Sequence, residues 1–510
     1  MKATLRHILP VLSQSAPCPR ERLLKAYMDK PLSALRYDSR LATEDAIFFC
    51  LVGKTADGHG YAGSAYRNGC RIFVAERQLE LPEDALCLTV PDTRVALADC
   101  SAEFYGHPER SMRLIGLTGT KGKTTTALLI RSLLENADIP TGYIGTNGVD
   151  YGRTHHQTVN STPESAEIYR FLRYMLDEGI NTCVMEISSQ ALWMGRTRGL
   201  IFDTVLFTNL SRDHIGGVEH PDFEHYRDSK RKLFTDYPTE AVVACADDPH
   251  VPYMTEGINA PLYLYATEDS TDAAWRAVDM QAAVRNGRMG VTFSALRKGC
   301  PIRAGWFRPL PGIYNLQNAL AALTVVCERF DVSPEAAAAS LATAVVGGRF
   351  ETVTHPAMPD VTFVIDYAHN RASLTAVLDA LADYSPRRLI CLFGSVGGRT
   401  KERRRDLAEA AAHRCDLCIL TSDNPGCEPP EEIISEIDAA FPPDACPRVA
   451  IPDRAEAIRY AVDIASEGDV ILLAGKGHED YQLVGVKRIP FSETDILLEA
   501  IRARAGSPVS

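Results

Sequence analysis

The sequence predicts an α/β protein of three domains, built on parallel sheets covered on both faces. Runs rich in Val, Ile and Leu recur between helical patterns: Arg71–Ala75, Thr182–Glu186, Thr204–Thr208, Thr362–Asp366, Leu389–Phe393 and Asp469–Ala474. Continuous apolarity, rather than alternation, marks strands buried on both faces. Several of these runs end in a polar residue or glycine, at the carboxyl ends where open α/β sheets gather ligands. Finally, the segment from Leu114 to Thr126 turns an apolar strand through Gly119 and Gly122 into Lys123 and a string of threonines.

That last segment has the chemistry of a phosphate loop. Glycines let backbone N–H groups approach phosphate oxygens, and the following helix offers its positive end. Lys123 neutralises terminal phosphates, and the Thr124 hydroxyl faces a magnesium ion. The strict spacing would require glycine at Leu117, so the loop is a shortened one: Gly119, Thr120, Lys121, Gly122, Lys123, Thr124, Thr125. A nucleotide site for ATP with Mg2+ is the working expectation.

Composition sets the outer limits. A chain of 510 residues with 45% hydrophobic and 24% charged residues has ample core for about three globular domains. No run approaches the roughly 18 apolar residues of a membrane span, and Met1–Ser15 has no apolar block of a secretion signal. No membrane association and a cytoplasmic location are therefore expected. The net charge of −12 argues against nucleic-acid binding. Fourteen cysteines are scattered through strand-like segments, as suits reduced, buried thiols. Cys415 and Cys418 have metal-like spacing, but they lie in an apolar strand without a second pair, so core packing is the reading.

In chain order, Gly106–Ser111 carries Gly, Pro and charge just before the loop strand and closes a first domain at 1–111. A central domain at 112–346 holds the phosphate loop and parallel sheet. Within it, residues 275 to 305 alternate as antiparallel strands around Asn286-Gly287, a two-residue hairpin signal, and form a small β insert. A Rossmann-like third domain occupies 347–510. For the metal, strand-end oxygens are the groups to seek. Glu186 ends an apolar strand, where a merely solvated glutamate rarely sits. His214, beyond another strand, can supply or orient a nitrogen ligand.

Six motifs in order, Gly119–Thr125, Met185–Ser189, Thr208–His214, Asp366–His369, Asp423–Pro425 and Gly475–Asp480, make the chain resemble the Mur ligases over almost its whole length. The resemblance implies that ATP phosphorylates the carboxylate of a UDP-N-acetylmuramoyl dipeptide and that the amine of a diamino acid then displaces phosphate. It implies catalytic roles for Lys123, Lys230 and His214, with Thr124, Glu186, His214 and Lys230 around the metal. Lys230 matches the family lysine that reacts with carbon dioxide, turning a cation into a metal-binding anion. Asn315, Asn318, Arg349 and Asp366 match positions around the nucleotide. Ser39 and Arg40 in the first domain, with Asn160, Ser161, Thr162, Ser188 and Arg196 in the second, match positions that contact the UDP-muramoyl peptide.

Arg399, Asp423, Asn424, Gly475 and Glu479 match the amino-acid pocket. Diaminopimelate-adding members usually carry arginine at the position of Gly426, where it grips the second carboxylate. Lysine and meso-diaminopimelate therefore both stay open. A monomer is expected. The alternatives are a folylpolyglutamate synthetase, against which Asp423-Asn-Pro425 and Gly475–Glu479 speak, and a degenerate nucleotide binder, against which Lys123, Glu186 and His214 speak.

Overall fold

The structure is a computed structural model. It describes residues 3–13, 15, 20–53, 56–213, 215–216, 219–269, 272–285, 288–299, 305–344, 348, 350–398 and 401–506. His214, Arg349, Arg399 and the Asn286-Gly287 turn lie outside the described residues.

Two compact units emerge, the first from Met1–Tyr265 with Ala321–Val332, the second from Ala266–Leu320 with Ser333–Ser510. The first unit opens with a four-stranded parallel sheet in chain order, Ala34–Arg36, Ala46–Phe49, Ile72–Ala75 and Leu86–Thr89. Its apolar strands are buried as continuous hydrophobic composition requires. The helix Thr93–Phe104 follows, started by Asp92, whose carboxylate accepts from the N–H groups of Arg94 and Val95.

A larger sheet follows in the same unit. Arg113–Thr118 lies between Phe202–Phe207 and Thr182–Glu186, with Thr239–Cys245 and Thr141–Gly145 as the next strands out, all parallel. Gly148–Tyr151 and Thr154–His156 continue one edge antiparallel. Because parallel strands deliver their carboxyl ends to one edge, the segments after Thr118, Glu186 and Phe207 meet there. The phosphate loop, the Glu186 carboxylate and the Asn209–Asp213 segment are thus neighbours by topology. A tight core, including Leu114, Ile144, Met185, Phe202 and Phe207, holds the sheet against its helices.

In the second unit, Trp275–Arg285 and Arg288–Arg297 pair antiparallel with Arg285 opposite Arg288, and Gly305–Arg308 adds a third strand. This realises the expected β insert. A six-stranded sheet runs Glu351–His355, Met358–Asp366, Asp469–Ala474, Arg388–Phe393, Leu417–Leu420, Arg448–Ala450, with only the first pair antiparallel. Cys418 is buried in the strand Leu417–Leu420, and Cys415, expected in the same strand, is buried just before it. Among the described residues no group of three or more His, Cys, Asp or Glu is arranged to hold a metal ion, and no helix is long and apolar enough to cross a membrane.

Candidate functional site

Gly119 has φ 149°, and a Cβ there would lie 1.9 Å from the Thr208 hydroxyl oxygen, so no other residue fits. Gly122, at φ 83°, turns the chain into the helix Lys123–Glu135. The neighbouring strand-end segment braces the loop. Thr120 N–H donates to the Asn209 carbonyl at 2.8 Å, and Lys121 N–H donates to Asn209 Oδ1 at 2.9 Å. Lys121 Nζ pairs with Asp213 at 2.9 Å. The Lys123 ammonium donates to the Gly119 and Thr120 carbonyls at 2.8 and 3.2 Å, which keeps it folded over the loop.

Glu186 is 1% exposed. Its carboxylate accepts from Thr124 Oγ1 at 2.9 Å, from the Tyr143 hydroxyl at 2.5 Å and from Thr146 N–H and Oγ1 at 3.0 and 3.1 Å. Burial, and then the Glu186 charge, push the Tyr143 phenol well above its ordinary value, so it stays a donor. Magnesium prefers hard oxygen donors and keeps several waters. A threonine hydroxyl and an oriented carboxylate on the helix that begins at Lys123 and the adjoining strand end fit that ion.

Lys230, on the helix Phe223–Thr235, is 2% exposed and reaches back to the Gly119 carbonyl at 2.8 Å. Its ammonium lies 4.6 Å from the centre of the Tyr226 ring. Burial, reinforced by nearby Lys123, holds its pKa well below the ordinary lysine value. A neutral amine can react with carbon dioxide, and the same positive neighbours that disfavour an ammonium favour the carbamate anion.

A cavity of about 150 Å³ brings together Lys123, Asn160, Ser161, Ser188, Arg196 and Lys230. Thr162 sits behind it, its hydroxyl donating to the Glu186 carbonyl at 2.9 Å and accepting from Ser188 N–H at 3.0 Å. Arg196 is held by Glu164 at 3.0 Å and by the Thr162 carbonyl at 3.2 Å. Glu164 also takes both short bonds from Arg94, a clamp that sequence spacing does not reveal. Ser39 and Arg40 do not line this cavity. They form a short turn at the end of the first sheet, where Arg40 is exposed and pairs with Asp38 at 2.6 Å.

In the second unit, Asp366 anchors its own turn: its two oxygens accept from Phe350 N–H at 2.7 Å and Ala368 N–H at 2.8 Å. Asn315 bonds the Pro311 carbonyl at 2.7 Å, and Asn318 is buried on the same helix, Ile313–Arg329. A separate cavity of about 270 Å³ collects Tyr367, Arg403, Asp423, Asn424, Gly475 and Glu479. Fully buried Lys476 ties its acidic side together, with Asn424 Oδ1 at 3.0 Å, Glu479 at 3.1 Å and Asp423 at 3.7 Å. Burial pushes the Asp423 carboxyl up from its ordinary value. Gly426 has φ 59° and donates its N–H to the Leu483 carbonyl at 3.0 Å. Lys476, invisible as a site residue in the sequence, emerges as the centre of this network.

Residues 117–326 match the Mur ligase middle domain and 348–477 the Mur ligase glutamate ligase domain. The chain is 36% identical over 487 residues to the UDP-N-acetylmuramoyl-L-alanyl-D-glutamate–2,6-diaminopimelate ligase of Geobacillus thermodenitrificans, covering 92% of this chain and 95% of that one. The chain belongs to the Mur ligase family. It is an ATP-dependent ligase. The correspondingly named protein of Chlorobaculum tepidum is 37% identical, with 91% and 92% covered. A solved structure titled as a ligase of the same name superposes with TM-score 0.68 at 26% identity, covering 99% of each chain. MurF ligase from Thermotoga maritima, solved in complex with ADP, shares the fold at TM-score 0.62 and 17% identity, with 93% of this chain and 98% of that chain covered.

Proposed function

We propose that this ligase joins a diamino acid to UDP-N-acetylmuramoyl-L-alanyl-D-glutamate, the tripeptide-forming step of peptidoglycan precursor synthesis. The observation that carries it is the convergence of Lys123, Thr124, Glu186 and Lys230 beside a cavity walled by Asn160, Ser161, Ser188 and Arg196. The loop amides and Lys123 bind ATP phosphates. Thr124, Glu186, His214 and a carbamylated Lys230 would hold magnesium, which when bound neutralises phosphate charge. Lys123 offsets charge developing on the transferred phosphoryl group, while Arg196 and the Ser161 and Ser188 hydroxyls position the substrate carboxylate. The resulting acyl phosphate is captured by the amine. Asn315, Asn318, Arg349 and Asp366 serve the nucleotide, and Ser39 and Arg40 serve the UDP end.

The domain division is 1–111 for the UDP-sugar, 112–346 for ATP and 347–510 for the amino acid, and the protein works as a cytoplasmic monomer. In the third domain, Arg399, Asp423, Asn424, Gly475 and Glu479 receive the amino acid, whose ammonium groups suit the Asp423 and Glu479 carboxylates. The named relatives favour meso-diaminopimelate as that amino acid. Gly426 favours a second reading, lysine, since glycine offers no group to a second carboxylate. Phosphate release with ATP, Mg2+, the UDP-muramoyl dipeptide and either amino acid decides between them. Release with neither, and with ornithine also inert, removes the function.

A further inference from the structure

Three side chains beside the phosphate loop are left unused by the chemistry above. Ser189 and His220 both face the cavity that holds Lys123 and Lys230. His220 is 2% exposed, and its Nε2 lies 2.9 Å from Ser189 Oγ. Its Nδ1 lies 2.8 Å from Nδ1 of His225, which is half-buried and one turn before Lys230 on the helix Phe223–Thr235. Trp193 covers the pair, its ring centre 6.1 Å from that of His220 and 5.1 Å from that of His225.

Two facing Nδ1 atoms at this distance share one hydrogen: one ring donates and the other accepts. When Ser189 donates to His220 Nε2, the His220 hydrogen sits on Nδ1 and is donated to His225, whose own hydrogen is then on Nε2. All three groups thereby pass their hydrogens one way, from Ser189 through His220 to His225. The groups around the pair are Ser189 and Trp193 from the helix Ser189–Trp193, Tyr226 with the Asp222 cap from the following helix, and Glu219 and Lys230 on the cavity wall.

We propose that Ser189, His220 and His225 form a proton relay that carries away the proton released when the amine attacks. This rests on the ligase reading above. The entering ammonium and the acyl phosphate become an amide, hydrogen phosphate and one proton. The N–C bond forms, and the C–O bond breaks with its electron pair leaving on phosphate. Of the two protons lost by nitrogen, one ends on phosphate. The other passes to Ser189 Oγ as the Ser189 proton moves to His220 Nε2, the His220 Nδ1 proton moves to His225 Nδ1, and His225 releases its Nε2 proton to water. Atoms and charge balance, and no redox partner is involved. Ser189, which meets the amine, acts as the catalytic residue, and His220 and His225 act through it as positioning residues. Histidine is suited to this because its ordinary pKa lies close to neutral pH.

The relay serves the second half-reaction alone, so the two halves separate under test. Exchange of labelled ADP into ATP with the UDP-muramoyl dipeptide and no amino acid reports acyl-phosphate formation, while full turnover reports both halves. In His225→Gln, which leaves every cavity-lining side chain in place, exchange is expected to match the parent. Turnover at neutral pH falls about 100-fold, the scale of a lost proton-transfer group. The deficit closes as pH rises toward the pKa of the amine, and added imidazole restores part of it. His220→Gln lowers turnover at least as far and is rescued the same way. Exchange that falls in step with turnover, turnover that does not fall, or a deficit that persists at alkaline pH would each overturn the relay. A parent chain that turns over no diamino acid would instead overturn the ligase reading, and the relay with it.

Discussion

Lys230 and Lys476 are both buried lysines, 2% and 0% exposed, yet their surroundings are opposite. Lys230 faces a carbonyl and an aromatic ring, with Lys123 and Lys121 as positive neighbours and Asp213 as the opposing charge. Lys476 is enclosed by Glu479, Asn424 and Asp423. Burial alone therefore does not decide what a lysine is for. Where burial and cations dominate, the amine's pKa is pulled well below the ordinary lysine value, as the proposed reagent role requires. Where carboxylates dominate, the lysine organises an acidic pocket through its hydrogen bonds and ion pairs.

The sharpest way to break this contrast is to remove each amine in turn. Lys230→Ala is expected to lower turnover about 1000-fold, equivalent to about 4 kcal/mol of barrier, with folding intact. Steady-state phosphate release measures the loss, and partial recovery by small added carboxylates would mark the missing group as an anion. Lys230→Ala with parental activity would end the reagent role. Lys476→Met should instead act on stability, costing about 3 kcal/mol, because Glu479 and Asp423 lose the ammonium between them and Asp423 keeps only Arg454 as an opposing charge. Urea unfolding reads this directly. An unchanged midpoint would show that Lys476 is not the counterion.

A third difference appears in the pH dependence of stability. Folded Lys230 gives up its proton below the ordinary lysine pKa, so between the two values the unfolded chain binds more protons and the fold gains stability as pH rises. The gain is complete above the ordinary value and lost as pH falls through the folded one. Against a Lys230→Met chain, which lacks this titration, the slope difference is at most about 1.4 kcal/mol per pH unit. Unfolding curves that stay parallel across the alkaline range would contradict a depressed pKa. Smallest is Gly426→Ala, at the rim of the acidic network. An added Cβ meets nothing within 4 Å, so only the left-handed backbone at φ 59° costs, about 1 kcal/mol. A thermal shift well beyond that would mean that Gly426 packs against something.

Much of the fold was legible because short, continuous apolar runs such as Thr182–Glu186 and Asp469–Ala474 between helical patterns favour parallel strands, and because Gly119–Thr125 states its own geometry. Glu186 beside Thr124 followed from its position at a strand end. The Glu164 clamp on Arg94 and Arg196, the Lys476 network and the Ser189–His220–His225 chain did not. Each joins residues distant in sequence through side-chain direction, and neither period nor spacing encodes that. Asp366 reads as a site residue, while its oxygens in the fold are both engaged by backbone amides. That assigns it at least the work of shaping its turn.

The strand that carries the phosphate loop is flanked on its two sides by segments made much later, Thr182–Glu186 and Phe202–Phe207. A nascent chain that has emerged only as far as residue 180 already holds the glycines and Lys123 but has neither flank, so both edges of that apolar strand stand open. Truncated translation products of this length would be templates for intermolecular pairing, and shortened versions that keep the loop are best ended beyond Phe207.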